Sequence, residues 1–123
     1  MTDKAKILVI DDELNVCWVL GNVLSGLGCR VTFVTNGREA LKEVKHGNFR
    51  IAFIDIKLTD MNGIDLCRLI REDAPDTRLI LISGFYSPND DIIQQGLKEG
   101  LFAEFIGKPF TPDQISQAVK EAL

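Results

Sequence analysis

Short apolar runs and segments of helical periodicity alternate from one end of the chain to the other, and five such rounds can be counted. The apolar runs fall at residues 7–10, 29–34, 51–54, 79–82 and 103–106, each bounded by polar or turn residues, which is the pattern of short strands. Their near-continuous apolar character predicts burial on both faces, as in a parallel sheet covered by helices on either side. Between the first two runs Val16, Val19, Leu20, Val23, Leu24 and Leu27 recur at helical spacing, so one stripe of a first helix faces the sheet; Gly26 and Gly28 then end it. Further helices are predicted over 38–45, 64–72, 89–99 and from 112 to the C-terminus. Two of them carry start signals. In Ser87-Pro88-Asn89-Asp90 the serine can cap, the proline suits the first helical position and the aspartate complements exposed N–H groups. Thr111-Pro112-Asp113-Gln114 repeats the arrangement, with Gln114 placed to complete a capping box. The whole pattern predicts one α/β domain over 1–123, a doubly wound five-stranded parallel sheet with five helices.

Composition narrows the function. A chain of 123 residues is long enough to bury a core without disulfides or a structural metal. The formal net charge of −4 argues against direct nucleic-acid binding by this domain, because neutralising phosphates needs a clustered excess of Lys and Arg. Cys17, Cys29 and Cys67 lack the close spacing of a redox or zinc motif and read as small core residues in a reducing compartment. With no signal-like or membrane-spanning apolar run, a cytoplasmic protein is expected. His46 has no second histidine or cysteine near it and reads as a surface residue late in the second helix.

In an open α/β sheet ligands bind beyond the carboxyl ends of the strands, where strand order reverses. The first strand leads into Asp11-Asp12-Glu13, the third into Asp55, the fourth into Ser83-Gly84 and the fifth into Lys108-Pro109. If the order is 2-1-3-4-5, Asp11, Asp12 and Asp55 converge at the switch point, and Ser83 and Lys108 approach from the other side. The glycines Gly21, Gly26 and Gly28 do not follow a strand in the way a dinucleotide-binding loop requires.

This set resembles the receiver domain of response regulators in two-component phosphorelay signalling. The resemblance runs through Asp55-Ile56-Lys57-Leu58-Thr59-Asp60-Met61-Asn62-Gly63 and Phe105-Ile106-Gly107-Lys108-Pro109-Phe110 and covers essentially the whole chain. It implies a flavodoxin-like sheet of order 2-1-3-4-5. It also implies that Asp55 accepts a phosphoryl group from a histidine kinase or histidine phosphotransfer protein. Mg²⁺ would be bound directly by Asp12 and Asp55, partly through water by Asp11, and by the backbone carbonyl of Lys57. Ser83 and Lys108 would hold the phosphoryl oxygens, and Phe105 would move inward as a switch. The face of the fourth helix, fifth strand and fifth helix would change conformation and could carry a homodimer. Charge supports the metal: three carboxylates against one ammonium leave an excess that a divalent cation cancels. Slow self-dephosphorylation is implied too, with Lys57 and Phe85, each two residues after a site residue, flanking the approach of water.

Each residue also has a plain structural explanation. Asp11, Asp12 and Glu13 could serve only the N-terminus of the first helix, Asp55 a turn, Ser83 a local backbone hydrogen bond and Lys108 a solvated loop. The phosphoacceptor reading outweighs these because all four strand ends carry the required chemistry in order. An inert domain of the same fold is disfavoured by the intact Asp12, Asp55, Ser83 and Lys108. An aspartate-nucleophile phosphatase would need an Asp-x-Asp motif after the first strand, which Asp11-Asp12-Glu13 does not supply. Two departures from the family pattern stand out. Thr59 replaces the usual proline, and the interval from Ser83 to Lys108 is longer by about three residues, within 85–89.

Overall fold

A computed structural model describes residues 4–123 and gathers the five apolar runs into one sheet. The strands are β1 (Lys6–Ile10), β2 (Arg30–Val34), β3 (Ile51–Asp55), β4 (Arg78–Ser83) and β5 (Glu104–Gly107), all parallel in the order β2-β1-β3-β4-β5. The helices among the described residues are α1 (Leu14–Gly26), α2 (Gly37–His46), α3 (Gly63–Asp73), α4 (Asp91–Lys98) and α5 (Pro112–Ala122). Successive strand side chains alternate between two apolar layers. Ile7, Val9, Phe53 and Ile82 meet α1 and α5, and Leu8, Ile10, Ile54 and Leu81 meet α2, α3 and α4.

Burial on both faces holds for β1, β3 and β4 and fails at the edges. In β2, Arg30 and Phe33 are exposed and only Val34 is buried, and in β5 only Ile106 is buried. An edge strand has a neighbour on one side only, and the flanking helices reach just part of its surface. Cys29 lies before β2 and Ala103 before β5, each outside the strand expected to contain it.

Several helix ends follow local chemistry. Gly28 adopts φ +81 after α1, a conformation that favours glycine, and the Cys29 amide donates to the Leu24 carbonyl at 3.0 Å. Thr111 and Gln114 form the expected capping box: the Gln114 amide donates to Thr111 Oγ1 at 3.2 Å, and the Thr111 amide to Gln114 Oε1 at 2.7 Å. Ser87, in contrast, does not start α4. The Ser87 amide donates to Asp90 Oδ2 at 2.9 Å and the Asn89 amide to Ser87 Oγ at 3.3 Å, which closes a separate turn, and the helix begins at Asp91. The capping signal was satisfied within four residues, so it no longer had a helix to serve.

Cys17, Cys29 and Cys67 are free and buried, and burial pushes the Cys67 thiol up to about 12. His46 is exposed at the last position of α2. Among the described residues no helix is long and apolar enough to cross a membrane.

Candidate functional site

Strand register brings the polar residues together. Ile10 pairs with Ile54, so the next residues, Asp11 and Asp55, lie side by side at the carboxyl edge. The Asp11 amide extends the β1·β2 ladder by donating to the Val34 carbonyl at 3.1 Å, which keeps Asp11 fully buried. On the other side Ser83 pairs with Gly107, and the Lys108 amide donates to the Ser83 carbonyl at 2.8 Å. Gly63 opens α3 directly over β3: a Cβ there would collide with the Asp55 carbonyl oxygen and Ile56, so only glycine permits that approach.

Carboxylate oxygens of Asp11, Asp12, Glu13 and Asp55 lie within 4.8 Å of one another. Lys108 Nζ sits 3.0 Å from Asp11 Oδ2, 3.3 Å from Glu13 Oε1 and 3.5 Å from Asp55 Oδ1. Glu13 thus joins a cluster for which the sequence had suggested only Asp11, Asp12 and Asp55. Its place after the acidic pair was the available signal. Asp55 is 4 % exposed, and burial together with the negative charge of Asp11 pushes its carboxyl up to about 6 against the opposing pull of Lys108. Burial likewise raises Asp11. Burial alone would lower Lys108, but its contact with Asp11 and the charge of Asp55 raise it instead, so the ammonium stays charged.

The donor set fits a hard divalent cation. It consists of oxygens only, and four carboxylates exceed the single ammonium. Asp11 Oδ2 is buried and accepts no well-directed hydrogen bond despite the nearby Nζ. Among the described residues the Lys57 carbonyl accepts none either.

Ser83 is buried, and its Oγ accepts the Phe85 amide at 3.0 Å and the Tyr86 amide at 3.4 Å. With both lone pairs occupied, its hydroxyl hydrogen is left to donate. Lys57 and Phe85 are both exposed, and Lys57 Nζ lies 4.0 Å from the Phe85 ring centroid, a cation–π contact between the loops after β3 and β4. Phe105 is half-buried on β5 opposite Leu81, packed on the α2, α3 and α4 side. Sequence reasoning missed the role of Asp60, whose carboxylate reaches the start of α2; no local pattern marks a contact between residues so far apart.

A family model described as the response regulator receiver domain matches residues 7–120. The transcriptional regulatory protein ZraR of Klebsiella oxytoca is 30% identical over 121 residues, covering 98% of this chain and 27% of that protein. The DNA-binding response regulator MtrA of Mycobacterium bovis is 30% identical over 122 residues, covering 99% of this chain and 52% of that protein. The chain therefore spans about a quarter to a half of these curated relatives. Among solved structures, the response regulator TrrA of Thermotoga maritima, in complex with Mg²⁺ and BeF, superposes with a TM-score of 0.83 at 29% identity, covering 97% of this chain and 99% of that one.

Proposed function

This chain belongs to the response regulator receiver domain family, and we propose that it acts as a cytoplasmic phosphoacceptor switch in which Asp55 takes a phosphoryl group from a histidine kinase or histidine phosphotransfer protein. The observation that carries this reading is Asp55 at the end of β3, nearly buried, beside three more carboxylates and 3.5 Å from the Lys108 ammonium.

A carboxylate nucleophile needs no general base. With its carboxyl at about 6, Asp55 is largely ionised at neutral pH and can attack phosphorus as the donor's N–P bond breaks and its imidazole leaves. Asp12, Asp55 and the Lys57 carbonyl are the groups that would hold Mg²⁺, with Asp11 acting through water; the cation supplies charge stabilisation for the phosphoryl oxygens. Lys108 contributes a second positive charge that can turn from Asp11 and Glu13 toward those oxygens. Ser83 offers them its free hydroxyl hydrogen. Leu14 and Trp18 at the start of α1 are 74% and 71% exposed, an apolar surface beside the site that suits a protein donor.

Acetyl phosphate with Mg²⁺ is expected to add one phosphoryl group, detected by intact mass, and Asp55→Asn to abolish it. Undiminished modification of Asp55→Asn would put the acceptor elsewhere.

A further inference from the structure

The loop after β3 is closed at its base and gripped at its tip. At the base the Gly63 amide donates to the Ile56 carbonyl at 2.7 Å, and Lys57 pairs with Asn62 as an isolated antiparallel bridge. In such a pair the hydrogen bonds run between the flanking residues, which leaves the carbonyl of Lys57 itself unused. At the tip, Asp60 Oδ1 accepts the Gly37 amide at 2.9 Å and Oδ2 accepts the Arg38 amide at 3.0 Å. These are two of the N–H groups that a helix start cannot satisfy internally. The next one, on Glu39, is taken by the Asn36 side chain at 2.8 Å, so α2 has its own cap and Asp60 supplies the remaining acceptors from outside. Met61 packs against Gly37, where a Cβ would collide with its thioether.

We propose that Asp60 is a positioning residue for the cation end of the site, tying the loop that carries the Lys57 carbonyl to the first turn of α2. The inference rests on the phosphoacceptor reading above. Thr59, standing where relatives of this fold usually have proline, leaves the tip without a ring to stiffen it. The two-oxygen grip of Asp60 provides the stiffness instead. The same two amides hold the Asp60 carboxyl below its usual range, so the grip is charged at neutral pH.

The test titrates Mg²⁺ into the parent, Asp60→Ala and Asp60→Asn while following the amide shifts of Lys57 and Leu58, and measures hydrogen exchange at Gly37 and Arg38. In Asp60→Ala both amides should exchange faster, and Mg²⁺ should bind about tenfold more weakly, as when an outer partner of a metal ligand is lost. Asp60→Asn should fall between, since its single oxygen cannot hold both amides at full strength. Faster exchange with Mg²⁺ affinity unchanged from the parent would reduce Asp60 to a helix cap and overturn the proposal. A parent that shows no saturable Mg²⁺ response would instead overturn the underlying reading of the site, and this inference with it.

Discussion

Asp55 binds its proton more tightly in the folded chain than in the unfolded one, because burial and the Asp11 charge push its carboxyl from 3.8 up to about 6. Below about pH 3 the group is neutral in both states and does not affect the balance. As pH rises toward 6 the unfolded chain ionises first, so stability falls across that window, opposite to the usual behaviour of a salt-bridged carboxylate. In chelator, Asp55→Asn should therefore unfold like the parent near pH 3 and be more stable at pH 7. The displacement to about 6 sets the gap at roughly 1 to 3 kcal/mol. Mg²⁺ at about 100 times its dissociation constant would stabilise the parent by about 2.7 kcal/mol, enough to close most of that gap. Denaturant unfolding at several pH values provides the check, and a difference independent of pH would show that Asp55 is not the strained group.

At the scale of elements, the loops after β3 and β4 meet through Lys57 and Phe85. With the ammonium over the ring, we propose that the pair acts as one unit to shield an acyl phosphate from water. Lys57→Asn and Phe85→Ala should each shorten the life of the phosphorylated form, and the double variant should be little faster than either single one, since both remove the same contact. Decay followed after donor removal distinguishes the cases. Lifetimes equal to the parent in all three variants would remove the pair from the mechanism, and multiplicative effects would mean two independent residues.

At the scale of the whole molecule, the proposed switch requires a signal to pass from the strand ends to the α4, β5 and α5 face. Ser83 links the two: it pairs with β5 at Gly107, two residues from Phe105, and its hydroxyl hydrogen is free for a phosphoryl oxygen. Ser83→Ala should still accept phosphoryl but lose the phosphorylation-dependent NMR shifts around Phe105, and Ser83→Thr should restore them. Shifts that persist in Ser83→Ala would break this link. Much of the arrangement was legible beforehand. Apolar runs of strand length alternating with helical stripes determine a parallel doubly wound sheet, and Asp11, Asp12, Asp55, Ser83 and Lys108 lie at or just past the carboxyl ends of strands, where that fold gathers its chemistry. The Thr111 capping box was readable for the same reason: its partners lie within four residues. What the sequence could not decide were matters of three-dimensional neighbourhood. Strand order made β2 and β5 edges and left Phe33 exposed. The turn at Ser87 and Asp90 is a local exception, in which one four-residue signal had two competing uses and the turn took the groups that would have capped α4. The reach of Asp60 to Gly37, of Glu13 to Lys108 and of Lys57 to Phe85 joins residues on different loops. Local periodicity carries information about residues a few positions apart, whereas these contacts exist only after packing has brought distant segments together.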